Sequence, residues 1–185
     1  METTFKISSV KKVIGLEEIA STHTLARTLA AGQEADGTLV LACHQTDAID
    51  RTGRPFYAGE GGVYFSLIVT PSKQTTAEKL SLALANAVSD TVVNVLEIKT
   101  KMTSSGDILA YDKTSRSWKK FAGIIAEPTD ANTWIIGAGI YLNNRLPVSL
   151  KNTCISLKTI LGSATSKELF LDDVLNNFWK EYAFI

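Results

Sequence analysis

Two apolar segments decide the fold class of this chain: Trp118-Lys-Lys-Phe-Ala-Gly-Ile-Ile-Ala-Glu127 and Trp134-Ile-Ile-Gly-Ala-Gly-Ile-Tyr-Leu142. Both are rich in β-branched and aromatic residues, which favour extended strands. The residues Pro128-Thr-Asp-Ala-Asn132 between them have the composition of a turn. We therefore predict that the two segments form a β-hairpin.

The rest of the chain has the pattern of strands with a few interspersed helices. Apolar and β-branched runs predict further strands over residues 10–18, 38–44, 63–70, 97–101 and 108–111. Helices are predicted from Ser21 or Thr22 to residue 30, and over residues 76–96 and 169–182. This order predicts an α+β fold with a mixed, largely antiparallel sheet and flanking helices.

The helix predicted over residues 76–96 carries an apolar stripe. Its members recur at helical spacing, and they are Leu80, Leu84, Ala87, Val88, Thr91, Val92 and Val95. A stripe of this kind is typical of a helix packed on a core. We therefore expect all of these residues to be buried.

Composition indicates one globular domain and excludes several classes of partner. The chain has 185 residues, and its 19 Lys and Arg residues balance 19 Asp and Glu residues. Without a basic excess, we predict no nucleic-acid partner. No signal peptide is predicted, because the start Met1-Glu-Thr-Thr-Phe-Lys6 is polar. No membrane partner is predicted, because the chain has no apolar run of membrane-spanning length. We therefore predict a cytoplasmic protein. Cys43 and Cys154 lie far apart and are predicted to be structural thiols.

A long polar loop over residues 45–62 is the first candidate for chemistry, because it places Arg51 and Arg54 between two strong strands. Guanidinium groups bind phosphates and carboxylates through a planar fork. Glycines such as Gly53 let a loop approach a ligand or close over it. A solvated loop without a catalytic role remains the alternative.

A lysine at the start of an apolar strand is the second candidate. Lys120 is followed closely by Gly123, so the lysine can reach a cleft while the glycine admits a ligand near the backbone. An edge lysine that guards against aggregation is the alternative. The pair Gly137 and Gly139 lacks the third glycine of a dinucleotide fingerprint, and His23 lacks the spacing of a metal ligand, so no metal site is predicted.

Six segments in order resemble the motifs of the biotin–protein ligase catalytic domain, a family related to lipoate ligases. They are Ile19-Ala-Ser-Thr-His for "D-S-T-N", residues 45–56 for "Q-T-x-G-R-G-R-x-G-R-x-W", Gly61-Gly-Val-Tyr-Phe-Ser-Leu for "G-G-x-Y-x-S-L", Gly106-Asp-Ile-Leu for "K-W-P-N-D-I-L", Lys120-Phe-Ala-Gly-Ile-Ile-Ala-Glu for "K-x-x-G-I-L-x-E", and Ile136-Gly-Ala-Gly-Ile-Tyr-Leu-Asn for "I-G-I-G-I-N-x-N". The resemblance covers almost the whole chain. It implies a class II synthetase-like biotin/lipoate ligase catalytic domain.

The resemblance implies a role for each matched residue. Lys120 and Arg51 would hold the ligand carboxylate and the α-phosphate of ATP, and Asp107 would orient or deprotonate the incoming lysine amine. The implied biotin-binding residues are Ser21, Thr22, His23, Gln45, Gly123, Gly137 and Gly139. The implied nucleotide-binding residues are Arg54, Phe56, Gly106 and Tyr141. ATP and Mg²⁺ would be co-substrates, and biotin the substrate.

The chain departs from the family pattern mainly on the nucleotide side. In the loop, two glycines and an arginine are replaced by Ala48, Ile49 and Asp50, and Asp50 places a negative charge beside the expected phosphate site. The other departures are His23 and Tyr141 in place of asparagines, Phe56 in place of tryptophan, Gly106 in place of asparagine, and Thr103-Ser-Ser105 in place of the Lys-Trp-Pro part of that motif.

The resemblance thus predicts one catalytic domain over residues 1–185, without an N-terminal DNA-binding domain and without the small C-terminal barrel. The predicted function is ATP-dependent ligation of biotin to a lysine of an acceptor carrier protein, by a chain that forms a homodimer. Two alternatives stay open: a biotin- or acyl-binding homologue with weak or no catalysis, and a lipoate or octanoate ligase or transferase.

Overall fold

The structure, a computed structural model, describes residues 4–103, 106–130 and 132–185. These residues form seven strands in one sheet, in the order β1-β2-β3-β7-β6-β5-β4. The strands are β1 Lys12–Ile19, β2 Thr38–Gln45, β3 Val63–Val69, β4 Thr100–Met102, β5 Asp107–Asp112, β6 Ser117–Pro128 and β7 Trp134–Ile140. The β1–β2 pair is parallel and the other pairs are antiparallel. The α+β prediction and the β6–β7 hairpin are therefore confirmed.

Four α-helices accompany the sheet: α1 Thr22–Ala31, α2 Ala77–Leu96, α3 Leu157–Leu161 and α4 Lys167–Tyr182. The hydroxyl of Ser21 caps α1, as predicted, by accepting a hydrogen bond from the Thr24 N–H. The sequence did not predict α3, whose first N–H groups donate to the Tyr141 and Leu142 carbonyls beyond β7. In the described ranges, none of the helices has the length and hydropathy needed to cross a membrane.

Both faces of the sheet are covered, because successive residues of a strand point to opposite faces. On one face, α2 and α4 pack on the main core, which includes Leu39, Phe65 and Ile136. On the other face, α1 packs on a smaller cluster that includes Val40 and Ile68. Since α1 is short, it covers only part of its face, and a functional pocket lies on the remainder.

The apolar stripe of α2 is buried as expected except at its last member. The side chains from Leu80 to Val92 in the stripe are buried, whereas Val95 is 54% exposed. The α4 residues around Val95 are polar and include Asp173, Asn176 and Lys180, with which Val95 borders an open groove. The expectation that Val95 is buried was therefore wrong.

A buried polar network anchors the carboxyl end of the long loop to the sheet. The Asn144 side-chain N–H groups donate to the carbonyls of Gly59 and Glu60 at 2.8 and 3.0 Å and to the Tyr64 hydroxyl at 2.7 Å. The Tyr64 hydroxyl in turn donates to the Gly59 carbonyl at 2.6 Å. The bonds among Gly59, Tyr64 and Asn144 are buried, so they satisfy polar atoms that would otherwise be costly to bury.

A substitution at Gly61 would show how tightly the residues around this polar network are packed. Its φ angle is +92°, and a Cβ added there would lie 2.8 Å from backbone atoms of Asn143. Gly162 has a similar φ of +77° but open space around it. We expect Gly162→Ala to reduce the free energy of unfolding by about 1 to 2 kcal/mol through backbone strain alone. For Gly61→Ala we expect a loss of about 3 kcal/mol or more, because overpacking adds to the strain. Equal losses in urea denaturation would contradict the tight packing around Gly61.

Candidate active site

A pocket opens on the sheet face that carries α1, beside the N-terminus of that helix. Its floor is formed where Ser66, Gly137 and Ile125 lie side by side on β3, β7 and β6, and where Gly139 pairs with Gly123 in the next row. Side chains at the glycines would fill this space. A Cβ on Gly139, for example, would lie 2.5 Å from the ring of Phe56, which also lines the pocket. Gly123, Gly137 and Gly139 thus all line this pocket.

Most of the residues that the sequence indicated line this one pocket. They are Ser21, Thr22, His23, Gln45, Arg51, Arg54, Phe56, Asp107, Gly123, Gly137 and Gly139. The other three lie close by: Lys120 is bonded to Asp107, Tyr141 stacks on Phe56, and Gly106 adjoins Arg51. Segments distant in sequence are thus brought together.

The Lys120 side chain reaches the pocket because of a β-bulge. Ile108 pairs with Ala122 but Leu109 pairs with Lys120, so Phe121 is an extra residue in β6. The bulge turns both Phe121 and Ala122 into the main core and leaves Lys120 on the same face as Gly123. There the Lys120 Nζ lies 2.7 Å from Asp107 Oδ1. A regular strand would have directed Lys120 and Gly123 to opposite faces.

The first turn of α1 and the end of β2 form one wall of the pocket. The Gln45 side-chain carbonyl accepts a hydrogen bond from the Thr22 backbone N–H at 2.7 Å. The Thr22 and Ser66 hydroxyls are 3.0 Å apart, and both residues are buried. These contacts hold the N-terminus of α1 against the pocket and orient Gln45.

The loop that covers the pocket is a small hairpin. Phe56 N–H donates to the Ala48 carbonyl at 2.8 Å, and Asp50 N–H donates to the Arg54 carbonyl at 2.8 Å. Ile49 and Pro55 form a bridge between the two arms. The residues that depart from the family pattern thus build an ordered arm of this hairpin.

Asp50 lines the pocket, but its carboxylate is bonded within its own turn. Its Oδ1 accepts hydrogen bonds from the Thr52 N–H, the Thr52 hydroxyl and the Arg54 N–H at 2.8, 2.6 and 3.1 Å. Partial burial raises the pKa of Asp50, but these hydrogen bonds and the Arg54 charge outweigh it and leave the pKa below its ordinary value. The carboxylate is therefore ionised, and the nearby Arg54 guanidinium offsets part of its charge.

The two loop arginines occupy different positions. Arg51 lines the pocket and also adjoins Gly106, where an added Cβ would lie 3.8 Å from the Arg51 Nε. Arg54 Nε donates to the Thr52 hydroxyl at 2.9 Å and lies 3.5 Å from Asp50 Oδ2. Arg51 thus approaches the Asp107 end of the pocket, whereas Arg54 also stabilises the turn.

Phe56 and Tyr141, two of the departures, stack on each other. Their ring centroids are 5.1 Å apart and their planes differ by 11°. The Phe56 ring also lies above Gly139, and the Lys120 Nζ is 5.5 Å from its centroid. Burial raises the pKa of Tyr141 far above its ordinary value, so Tyr141 is a neutral phenol. Phe56 therefore covers the pocket beside Lys120, and the buried Tyr141 packs against its ring.

His23 lies at the other end of the pocket, next to two charged residues that sequence reasoning did not select. Its Nε2 is 3.2 Å from Glu127 Oε1, and Glu127 also accepts a hydrogen bond from Arg27 Nε at 2.7 Å. Burial lowers the pKa of His23, and this outweighs the opposing effect of Glu127. Side chains of a strand point alternately to its two faces, so Glu127 shares the pocket face of β6 with Gly123. This alternation is the sequence signal that could have identified Glu127.

The turn held by Asp50 provides a test of loop order. We expect Asp50→Ala to lower hydrogen-exchange protection of the Thr52 and Arg54 amides by about tenfold, because both donate to the lost carboxylate. Asp50→Asn is the matched control, since its carbonyl oxygen still accepts both bonds. Unchanged protection in Asp50→Ala would show that the hairpin does not depend on this carboxylate.

Comparisons with known proteins agree with this geometry. No protein-family model matches the chain. The chain is 33% identical over 174 residues to the bifunctional ligase/repressor BirA of Bacillus subtilis, a match that covers 89% of this chain. The chain spans about half of that relative, since 51% of its length is covered.

Solved structures of similar fold include two biotin protein ligases. One, from Aquifex aeolicus in complex with biotin and ATP, is 28% identical with a TM-score of 0.80, over 94% of this chain and 71% of that one. The other, from Leishmania major in complex with biotinyl-5-AMP, is 22% identical with a TM-score of 0.69, over 92% of this chain and 73% of that one, and it supports the fold alone. The curated relative and the Aquifex aeolicus structure therefore support membership of the biotin–protein ligase family.

Proposed function

We propose that this chain catalyses ATP-dependent ligation of biotin to a lysine of an acceptor carrier protein. In the first step, a biotin carboxylate oxygen bonds to the α-phosphorus of ATP and pyrophosphate leaves. In the second step, the acceptor amine nitrogen bonds to the acyl carbon, AMP leaves, and the amine loses a proton. Both steps develop negative charge around one phosphate, so they need fixed cations in a site that excludes water.

The observation that carries the proposal is the Lys120–Asp107 pair at one end of a glycine-floored pocket. The Lys120 ammonium has three donors, so it can bind the biotin carboxylate and the α-phosphate while it keeps its contact with Asp107. Arg51 lines the same pocket from the loop and would cover the phosphate with its planar fork. Together they would offset repulsion between two anionic reactants and hold them for in-line attack.

Asp107 would act mainly in the second step. Its carboxylate already lies at the pocket and is 36% exposed, so an incoming amine can reach it. The Asp107 oxygens would accept hydrogen bonds from the acceptor lysine and orient its nitrogen toward the acyl carbon. As the amide forms, the same carboxylate would take up the proton that the amine loses.

The biotin chain and ring would lie along the glycine floor. Gly123, Gly137 and Gly139 leave room for the acyl chain beside the backbone, and Ser21, Thr22, His23 and Gln45 would surround the ring system. Biotin as the ligand is supported by the Aquifex aeolicus biotin protein ligase, which was solved in complex with biotin and ATP.

The nucleotide would lie beside the aromatic pair. Arg54, Gly106, Phe56 and Tyr141 are the residues proposed to contact it, with stacking supplied by the Phe56 ring. Mg²⁺ would accompany the ATP phosphates and neutralise part of their charge. In the described ranges, no group of three or more His, Cys, Asp or Glu residues is arranged to hold a metal ion.

We also propose the partners of this chain and its location. The acceptor is a carboxyl carrier protein, the reaction takes place in the cytoplasm, and two copies of the chain pair through a sheet edge. Support for the pairing is that β4 and β1 end the sheet and leave edges that a second copy can meet. Analytical ultracentrifugation tests the homodimer, and a monomer at micromolar concentration would contradict it.

Lys120→Ala tests the proposed function directly. We expect labelling of a biotin acceptor domain, in the presence of biotin, ATP and magnesium, to fall by about a hundredfold or more, because a fixed cation at the reacting phosphate is lost. Lys119→Ala is the matched control, since the neighbouring Lys119 is paired with Asp112 at 3.1 Å and lies outside the pocket.

The outcomes separate the rival functions. No labelling by the wild-type chain, together with biotin binding in calorimetry, would identify a binding homologue without catalysis. Transfer of lipoate or octanoate in preference to biotin would identify a different acyl ligase or transferase. Either result would overturn the proposed biotin ligation.

A further inference from the structure

Positive charge is concentrated in the strands next to the Lys120–Asp107 pair. Residues 99–120 contain six of the 19 Lys and Arg residues of the chain but two of its 19 Asp and Glu residues, an excess of four positive charges. This segment comprises β4, β5 and the first part of β6. A chain without net charge therefore has a positive region at one end of its pocket.

Most of these cations are exposed and have no acidic partner among the described residues. They are Lys99, Lys101, Lys113 and Arg116. The two carboxylates of the segment are already paired, Asp107 with Lys120 and Asp112 with Lys119. The positive charge of this region is therefore directed to solvent.

An exposed aromatic ring lies among these cations on the pocket face of the sheet. Leu109 pairs with both Lys101 and Lys120, and Tyr111 pairs with Trp118 in the next row. Paired residues of neighbouring strands share a face, and Trp118 lies two residues from Lys120. The Lys101 Nζ is 4.6 Å from the centroid of the Trp118 ring, which remains 37% exposed. The Tyr111 ring meets the Trp118 ring edge to face.

The turn of the β5–β6 hairpin is ordered by Asp112. Its carboxylate accepts hydrogen bonds from the Thr114 N–H at 2.9 Å, the Ser115 hydroxyl at 2.6 Å and the Lys119 Nζ at 3.1 Å. An ordered surface loses less conformational entropy when a partner binds to it. The hairpin therefore presents its cations and its aromatic ring in a fixed arrangement.

This surface lies within reach of a protein whose lysine enters the site at Asp107. From Trp118 to Gly123, which pairs with Asp107, β6 covers about 15 Å at about 3.3 Å per residue. A folded domain of about 100 residues has a radius of gyration of about 13 Å. A carrier domain that places its lysine at Asp107 is therefore wide enough to contact Trp118.

The nucleotide is proposed to lie elsewhere. Phe56 lies above Gly139 of β7, and β7 is on the opposite side of β6 from β5 and β4. The exposed ring of Trp118 and the cation of Lys101 are thus left for another ligand.

We propose that this hairpin surface binds an acidic surface of the acceptor carrier protein around its target lysine. The hairpin surface consists of Lys99, Lys101, Tyr111, Lys113, Arg116 and Trp118. Its cations attract the acidic partner and raise the rate of encounter, and Trp118 anchors the contact. This inference rests on the proposed function and names the part of the chain that recognises the protein substrate.

Separate assays of the two steps test the cations of this surface. ATP–pyrophosphate exchange with biotin reports adenylate formation without an acceptor, and kcat/KM for an acceptor domain of acidic net charge reports the complete reaction. We expect Lys113→Glu/Arg116→Glu to lower that kcat/KM by about tenfold at low ionic strength, because two attractive charges become repulsive. Exchange should stay unchanged, since both residues lie outside the pocket lining. Added salt should lower the wild-type kcat/KM and reduce the difference between the two proteins.

Trp118→Ala tests the anchor independently of charge. We expect kcat/KM for the acceptor to fall by about tenfold at both low and high salt, with exchange unchanged, because a central aromatic contact is lost. Trp118→Phe keeps a ring and should recover part of the loss. Circular dichroism melting of each variant separates loss of docking from loss of folding.

Lys73→Glu/Lys180→Glu is the matched control, because it changes the net charge of the chain by the same amount. Both lysines are exposed and lie outside the pocket lining, Lys73 in the segment after β3 and Lys180 on α4. This control should keep the wild-type kcat/KM. An equal loss in the control would assign the effect to net charge and overturn the role of the hairpin surface.

The outcomes distinguish this inference from the function on which it rests. A wild-type chain without exchange or transfer would overturn the proposed function together with the inference. An active wild-type chain, with folded hairpin variants that keep their kcat/KM for the acceptor, would overturn the docking surface alone. Loss of exchange in the hairpin variants would show that the surface serves the nucleotide, which also contradicts the inference.

Discussion

The ion pair between Lys120 and Asp107 depends on a single extra residue in β6. Phe121 is fully buried in the main core. Because it is an extra residue, Lys120 points to the same sheet face as Gly123. Lys120 is thereby exposed to the pocket while its backbone stays paired with residues 153–155 on the other side. A partly buried ammonium held by a carboxylate interacts strongly with a further anion, because the surroundings screen charge less than bulk water does.

Around that pair, the sheet provides space and the loop provides a cover. Glycines at paired positions of β6 and β7 keep the floor free of side chains, and the hairpin over residues 48–56 closes above it. The residues that depart from the family pattern make the contacts that hold this loop in place. Asp50 holds the turn, Ile49 bridges to Pro55, and Phe56 meets Tyr141. Their effect is to order the loop through contacts within the protein.

The pocket is chemically different at its two ends. One end carries a lysine, an aspartate and an approaching arginine, which suit a carboxylate and a phosphate. The other end carries a buried imidazole backed by Glu127 and Arg27, which suits a polar but uncharged head group. A substrate with a carboxylate, an apolar chain and a hydrogen-bonding ring matches this arrangement along its whole length.

Local patterns in the chain were sufficient for most strands and for three of the helices, because strand alternation and helix capping act over a few neighbouring positions. The residues that line the pocket were identified mainly from six ordered motifs that resemble those of the family. The local patterns could not reveal the bulge at Phe121, the helix α3, the exposure of Val95 or the inward turn of the Asp50 carboxylate. Nor could they pair Arg27 with Glu127, which lie 100 positions apart. These features depend on which distant segment packs alongside, and that is settled only when the sheet and helices come together and every buried polar group competes for a partner.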